Sequence, residues 1–323
     1  MPYLDDMRAI LDNLQGLHRA VTGHGKQLER LAVASNANEQ ANLLTNGGFE
    51  VWQRGNGPFT ASGAYTADRW RMSIGAAGTM SLTNITLTSG LGGATSSGPQ
   101  VVYTHGTADS TLWQLLVLTE FPYLRGSTVS LSARVYSSVA SAARLSLTTV
   151  GTGGATTYSA YHPGNGTWQT LMVSAPIPID ATSLTVDALR MSATGTHYVD
   201  NAVLVVGSVA ADYALLHPTD DMARCERYRQ SIGVDGGGDL IYTMFNAFAT
   251  AQTAWFTPTY RTQMAITPTA TLQGTWTLGG ASALAVGGPT TRALYLSYTS
   301  TASSVSTAWN SANTANIVLE ANP

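Results

Sequence analysis

Two carboxylate side chains facing each other across a cleft would allow glycoside cleavage. The β-rich part of the sequence holds eight scattered acids, at Glu50, Asp68, Asp109, Glu120, Asp187, Asp200, Asp235 and Asp239. No two of them form a recognisable catalytic pair, and the histidines lack the spacing of a metal site. A Gly-x-Ser-x-Gly nucleophile motif is also missing from the sequence. We therefore expect this protein not to be an enzyme.

Aromatic side chains in the middle of the chain are the second group with chemical potential. A flat ring can stack against the apolar face of a pyranose, and a sugar site otherwise needs only a concave surface and a few polar groups. Tyr103 is one such aromatic. The candidate ligand-binding residues are Trp113, Tyr136, Tyr158, Tyr161 and Trp168. The alternative for each is that it fills the core or its rim.

Composition excludes several classes of protein. The 323 residues have room for two β domains and an appendage, and the net charge of -3 argues against a nucleic-acid partner. Cys225 is the single cysteine, so an intrachain disulfide is impossible. The sequence lacks an apolar run near the ~20 residues that a bilayer span requires, so we expect no membrane insertion. We also detect no signal peptide, and we expect folding in a cytoplasm.

The first 31 residues carry a heptad pattern that predicts an α-helical coiled-coil stalk. Tyr3 begins the seam, which implies partner chains. The predicted oligomerisation residues are Met7, Ile10, Leu14, Leu17, Val21, His24, Leu28 and Leu31. His24, between Gly23 and Gly25, is either a core residue that binds an ion or sets register, or a break between two helical pieces. A single helix packing back on the β body is a further alternative. Residues 32–41 are small and polar, so we assign residues 1–41 to the stalk and a linker.

Residues 42–216 read as β-structure, because apolar and polar residues alternate between Gly-rich turns. Predicted strands are 80–87, 128–136, 143–150, 168–173, 183–191 and 197–206. Such a series predicts a mainly β fold, a sandwich or jelly roll. Residues 110–118 fit either a strand or a helical turn.

The opening stretch of this region, residues 42–74, has its own pattern. Asn46-Gly47-Gly48 predicts a turn that leads into a first strand through Phe49 and Val51. A second predicted strand begins at Asp68 and places Trp70, Met72 and Ile74 on one face. Trp52 and Trp70 are expected in the core.

Residues 217–323 are predicted to hold a short helix and a C-terminal β domain. The helix spans 218–230, with Thr219 as N-cap and with Met222, Cys225 and Tyr228 along one apolar edge. Cys225 is therefore expected to be a small core residue. Alternating segments at 247–256, 294–299 and 317–320 predict later strands.

Three segments resemble a family of carbohydrate-binding modules with a β jelly-roll fold. These are NLLTNGGFE at 42–50, GTWQTLMVSAPIP at 166–178 and HYVDNAVLVVG at 197–207. The resemblance implies paired first and last strands that hold a structural calcium, for which Glu50 and Asp200 are the matching acids. Calcium needs six or more oxygens and these acids are two of its ligands, so surface carboxylates are the alternative.

Other motifs resemble fibre and appendage proteins of tailed bacteriophages. They are VWQRG at 51–55, TADRW at 66–70 and PTDDMARCERYRQ at 218–230. This resemblance implies a virion protein on tail, baseplate or capsid surface, folded in the host cytoplasm. It further implies a homotrimer, docking on other virion proteins through the stalk, and host-surface glycan as ligand. The alternatives are a non-binding decoration or connector protein, and a carbohydrate-active enzyme with an attached module.

Overall fold

A computed structural model describes residues 42–88, 95–233, 241–246, 249–301, 305–310 and 315–323. The predicted stalk and its heptad seam lie outside these residues, so the coiled coil stays a prediction. Within the described ranges, helices long and apolar enough to cross a membrane are not found.

Ten strands in the described residues build the first β unit. In chain order they are β1 (Arg71–Ser73), β2 (Thr79–Thr88), β3 (Thr95–Thr104), β4 (Ser110–Val117), β5 (Thr128–Ser137), β6 (Ala143–Val150), β7 (Thr156–Tyr158), β8 (Thr167–Pro176), β9 (Ser183–Met191) and β10 (Gly195–Val206). The six strands predicted with alternating patterns are confirmed, and the ambiguous segment at 110–118 is strand β4.

The ten strands form two five-stranded antiparallel sheets. Sheet I has the order β1-β4-β9-β6-β7, and sheet II has the order β2-β3-β10-β5-β8. The eight consecutive strands from β3 to β10 divide into β3-β10-β5-β8 and β4-β9-β6-β7, which is the strand order of a jelly roll. The predicted jelly roll is therefore confirmed by topology.

The hydrophobic core lies between the two sheets. Leu112 and Leu116 of β4 and Leu145 and Leu147 of β6 are fully buried or nearly so, together with Leu131 of β5. Along β4, buried and half-buried residues alternate strictly. Because successive side chains on a strand point to opposite faces, the residues between the core positions face outward.

The opening segment corrects one prediction, because no strand forms at residues 49–54. Asn46 replaces a strand partner: its side-chain Nδ2 donates to the carbonyls of Val51 (2.9 Å) and Asp68 (3.1 Å), and its Oδ1 accepts from Val51 N (3.0 Å). Asn46 and Phe49 both have positive φ, which a strand excludes. The predicted second strand is shortened to β1, because Arg69 also has a positive φ. Trp70 is fully buried as predicted, and its ring stacks on Phe49.

A helix, α1 (Pro218–Glu226), follows the jelly roll. Its N-cap is His217, whose Nδ1 accepts from Thr219 N at 3.3 Å, so Thr219 is not the cap. The helix ends before residue 230, because Arg229–Gly233 forms a strand instead. Of the predicted apolar edge, Cys225 and Tyr228 are buried, whereas Met222 is 39% exposed.

The buried edge of α1 packs on the opening segment. Cys225 is fully buried, as predicted. Asp221, also buried, accepts a hydrogen bond from Asn46 N (3.2 Å). Arg224 Nη2 donates to the carbonyls of Asn42 (3.0 Å) and Leu44 (2.8 Å). Met222 is exposed because the polar contacts of Asp221 and Arg224 decide which edge faces the jelly roll.

The C-terminal unit contains, in the described residues, nine further strands. They are β11 (Arg229–Gly233), β12 (Tyr242–Asn246), β13 (Thr253–Phe256), β14 (Thr269–Gln273), β15 (Trp276–Gly279), β16 (Ala281–Gly287), β17 (Tyr295–Ser300), β18 (Val305–Asn310) and β19 (Asn316–Glu320). They pair as three antiparallel sheets, β11-β19-β14, β12-β18-β15 and β13-β17-β16. The predicted strands at 294–299 and 317–320 are confirmed. Of the strand predicted at 247–256, residues 247 and 248 lie outside the described residues, and β13 begins at Thr253 after a turn at 249–251.

A network of charges joins the two β units. Arg54 contacts Asp68 (Nη1 to Oδ1, 3.1 Å) and Glu320 (Nη2 to Oε2, 2.7 Å), and Arg229 Nε lies 2.9 Å from Glu320 Oε1. Tyr65 Oη donates to the carbonyl of Pro323 at 2.8 Å. The end of the chain is thus fastened to the opening segment of the jelly roll.

Candidate functional site

A single row of residues crosses all five strands of sheet I. Arg71, Trp113, Asp187, Ser146 and Tyr158 are direct cross-strand neighbours in that order. Directly opposed residues of an antiparallel sheet share a face, and this row lies on the face turned away from the core. Trp113 and Tyr158 are three strands apart, so their backbones are about 14 Å apart at ~4.8 Å per strand.

Side-chain size makes this row a trough. Ser146 (0% exposed) and Asp187 (4% exposed) are short, buried side chains in the middle, whereas the half-buried ring of Trp113 and the exposed ring of Tyr158 stand at either side. A parallel row next to it consists of Leu115, Thr185, Thr148 and Thr156, again as direct neighbours. We call the surface formed by these two rows the sheet I trough.

The floor of the trough is an ionic network. Asp187 accepts a short hydrogen bond from Ser146 Oγ and lies 3.5 Å from Arg190 Nη1. Arg190 Nε donates to Asp109 Oδ2 at 2.9 Å, and Arg144 Nη2 lies 3.8 Å from the same oxygen. Burial raises the pKa of Asp187 to about 6, although Ser146 and Arg190 oppose the shift. This carboxyl therefore changes charge in mildly acidic solution.

Arginines also hold the rings at the edges of the trough. The guanidinium carbon of Arg144 lies 3.8 Å from the ring centroid of Tyr158 and 4.5 Å from that of Tyr161. Arg71 lies 5.4 Å from the Trp113 ring. Such cation–π contacts orient a ring without burying it, and Tyr158 remains 41% exposed. Arg144 Nε is buried and has no hydrogen-bond partner among the described residues.

These groups together suit a ligand that is flat, partly apolar and rich in hydroxyls. The rings of Trp113 and Tyr158 can stack on such a ligand, and the partly exposed side chains of Asp109, Arg190 and the threonines can exchange hydrogen bonds with it. Within this trough the opposite charges of Asp109, Asp187, Arg144 and Arg190 largely cancel. The surface therefore has no strong preference for a highly charged ligand.

The structure divides the five predicted aromatics between two faces. Trp113, Tyr158 and Tyr161 lie at the sheet I trough, whereas Tyr136 and Trp168 lie on the outer face of sheet II. Tyr103 is buried in the core, where its hydroxyl contacts His105 Nδ1 at 2.9 Å, so it is unavailable to a ligand.

Sequence reasoning missed the polar half of the trough. Arg144, Ser146 and Arg190 carry no signal of their own in the sequence, because each occupies an ordinary outward position of an alternating strand. Alternation marks such positions as outward, but pairing between distant strands decides which of them become neighbours.

The scattered acids fall into separate environments. Asp109 and Asp187 both bind Arg190 on sheet I, whereas Asp68 lies in the network that joins the two β units. Asp235 and Asp239 lie outside the described residues. The expectation that this protein has no catalytic activity stays a prediction.

The two predicted calcium ligands come from opposite ends of the jelly-roll sequence. The pKa of Glu50 is raised by burial and by the charges of Asp200 and Asp221, which places these carboxylates within electrostatic reach of Glu50. Their oxygens suit a hard cation, but two acids fall short of the six oxygens that calcium needs. Groups of three or more acidic, histidine or cysteine side chains arranged to hold a metal are not found in the described part of the chain. Calcium binding by Glu50 and Asp200 stays a prediction that depends on backbone oxygens.

Comparison with known proteins gives only distant likenesses. No protein-family model and no curated protein matches the chain. Among solved structures, the enzymatically active domain of tailspike protein 4 of bacteriophage CBA120 aligns with 51% of this chain and 21% of its own length (TM-score 0.35, 14% identity). A xylan-binding domain from CBM 22 aligns over 49% of this chain and 99% of its own (TM-score 0.33, 18% identity). A CBM4 structure aligns over 50% and 98% (TM-score 0.32, 14% identity). The jelly-roll assignment therefore rests on the strand order of this chain.

Proposed function

We propose that this chain is a virion fibre or appendage protein whose jelly roll binds a host-surface glycan in the sheet I trough. The observation that carries the proposal is the cross-strand row from Arg71 to Tyr158, with rings at its edges and hydrogen-bonding groups between them. The phage-like motifs of the sequence support the virion location.

The proposed mechanism is multivalent display. A homotrimeric N-terminal stalk would hold three jelly rolls together and dock on other virion proteins, on tail, baseplate or capsid. Individually weak glycan contacts would then reinforce one another through effective concentration. No catalytic step is part of this proposal.

A non-binding connector or decoration protein is the second candidate, and one observation favours it. Arg144 already lies over Tyr158 and Tyr161, so these rings have a protein partner without any ligand. In a connector the whole network would serve only to stabilise sheet I.

Binding of the full-length chain to purified bacterial surface polysaccharides and to xylohexaose tests the proposal. Trp113→Ala should lower the affinity about tenfold, equivalent to about 1.4 kcal/mol. Trp255→Ala is the matched control, since Trp255 is 66% exposed on β13 of the C-terminal unit. Equal binding by both variants, or none by the wild type, would favour the connector.

A further inference from the structure

The outer face of sheet II carries a second aromatic row that the proposed glycan site does not use. Gln100, Tyr198, Tyr136 and Trp168 are direct cross-strand neighbours on β3, β10, β5 and β8. Ring centroids are 5.3 Å apart for Tyr136 and Tyr198, and 6.0 Å apart for Tyr136 and Trp168. We call the three rings the sheet II platform.

The platform faces away from the hydrophobic core. Val135 and Val199, adjacent in sequence to Tyr136 and Tyr198, are fully buried, whereas all three rings are half-buried. On β8, Trp168 shares its face with the exposed Thr170. These three rings lie outside the hydrophobic core, so packing of the core does not account for them.

Polar groups surround the platform as they would in a binding site. Gln100 Nε2 donates to Tyr198 Oη at 3.0 Å. The guanidinium carbon of Arg134 lies 5.3 Å from the Trp168 ring, and its Nη1 is buried without a hydrogen-bond partner in the described residues. A buried guanidinium nitrogen without a partner is energetically costly, and a ligand oxygen in front of it would remove that cost.

A wall borders the platform on one side. The chain between β10 and α1 runs along sheet II, and Ser132 Oγ on β5 donates to the carbonyl of Ala211 at 2.9 Å. A cleft of about 450 Å³ opens between this wall and the sheet, at the Trp168 end of the platform; Trp168 is the platform ring that lines it, together with Arg134, Thr170, Asn201 and Asp212. This size is typical of small-molecule sites.

The charge of the cleft points to a neutral ligand. Arg134 is directly opposite Asp200 in the sheet, and Asp212 lines the same cleft. One cation beside two acids does not attract a phosphate-rich polymer. Rings for stacking, with amide, hydroxyl and guanidinium groups at their rim, suit an uncharged pyranose chain.

We infer that the sheet II platform is a second saccharide-binding site, independent of the sheet I trough. Only the ligand class is taken from the proposed function, because the two sites share no residue. Since the two faces point in opposite directions, one oligosaccharide cannot occupy both. A single jelly roll would then bind two glycan chains and bridge them.

Calorimetric titration of the full-length chain with xylohexaose and with β-1,4-galactotriose, up to millimolar concentration, tests the inference. The wild type should bind two molecules of at least one of these sugars per chain. Trp168→Ala and Trp113→Ala should each bind one molecule per chain, and the double variant should bind none. Trp255→Ala should still bind two.

A second variant guards against misfolding of Trp168→Ala. Thr170→Trp adds bulk at an exposed position of the cleft without removing any packed atom, and it should also reduce the stoichiometry to one. Near-ultraviolet circular dichroism checks the fold of each variant.

The outcomes separate the two sites. One bound molecule that Trp113→Ala abolishes, and that Trp168→Ala and Thr170→Trp leave unchanged, overturns the second site but keeps the proposed function. If the wild type binds one molecule and only the sheet II variants abolish that binding, the saccharide site is the platform, and the proposed site in the sheet I trough is overturned. No binding of either sugar by the folded wild type overturns both.

Discussion

The guanidinium carbon of Arg69 lies 3.7 Å from the centroid of the Tyr228 ring. Arg69 is buried, and its Nη2 donates to the carbonyl of Leu115 (2.7 Å) and its Nη1 to Asn322 Oδ1 (3.3 Å). Tyr228 Oη in turn donates to Glu120 Oε2 at 3.2 Å. One stacked pair thus connects the opening segment, sheet I, the residue beyond α1 and the C-terminus. Two of the three motifs that resemble phage appendage proteins, TADRW and PTDDMARCERYRQ, thus contact each other through this pair.

Removal of Arg69 should destabilise both β units together. Arg69→Ala deletes a desolvated cation–π contact and two hydrogen bonds, and we expect a loss of about 2–4 kcal/mol in the free energy of unfolding. Arg69→Lys should recover only part of this free energy, because the lysine ammonium lacks the planar, forked donor geometry of a guanidinium. Urea unfolding measures both.

Arg227→Ala is the control for this series, because Arg227 is exposed and its ion pair to Glu120 is long, at 4.0 Å. It should change the unfolding free energy by less than about 1 kcal/mol. Equal effects of Arg69→Ala and Arg227→Ala would contradict the importance of the stacked pair.

Asp68 should make stability depend on pH. Burial raises its pKa to about 6, despite the opposing charge of Arg54 and a hydrogen bond from Gln53. The folded-state pKa is above the unfolded value of about 3.9, so the stabilisation is complete below pH 4 and is lost as the pH rises through 6. Between pH 4 and pH 6 the free energy of unfolding of the wild type should therefore fall by about 2–3 kcal/mol relative to that of Asp68→Asn. Denaturant unfolding across this range checks it, and a constant difference between the two proteins would refute it.

Arg144 separates the binding protein from the connector. If the Arg144 guanidinium holds Tyr158 and Tyr161 in position for a glycan, Arg144→Ala should weaken polysaccharide binding about tenfold, or about 1.4 kcal/mol. Arg292→Ala, a change at an exposed arginine of the C-terminal unit, should have no effect. Unchanged affinity in the folded Arg144→Ala variant would mean that this arginine only stabilises sheet I.

Calcium should raise the melting temperature if Glu50 and Asp200 hold it. A ligand at one hundred times its Kd stabilises the folded state by about 2.7 kcal/mol, and a chelator should reverse the shift. Glu50→Gln and Asp200→Asn should abolish the response, whereas Asp220→Asn, at an exposed acid of α1, should keep it. A calcium response that survives both substitutions would place the ion elsewhere.

The stalk should set the oligomeric state. Light scattering of the full-length chain should give a trimer, and a chain that begins at Asn42 should give a monomer, because the heptad seam is then absent. A trimer in both would place the interface in the β units. A monomer in both would exclude the coiled coil.

Strand positions were largely predictable from the sequence, because a strand with one buried face has apolar and polar residues at alternate positions. The segments at 143–150 and 183–191 were predicted with the bounds that β6 and β9 have in the structure. Burial of Trp70 and Cys225 was predictable for a related reason, since large apolar and small thiol side chains favour the interior.

Tertiary structure alone decided which outward residues became neighbours. Trp113 and Asp187 are 74 positions apart in the sequence, yet they are directly opposed on β4 and β9, because strand order and register are set by long-range pairing. The same pairing separated Tyr136 and Trp168 from Trp113 and placed them on the opposite side of the molecule. It also let the Asn46 side chain take the hydrogen bonds of a strand partner, which local alternation at Phe49 and Val51 does not reveal.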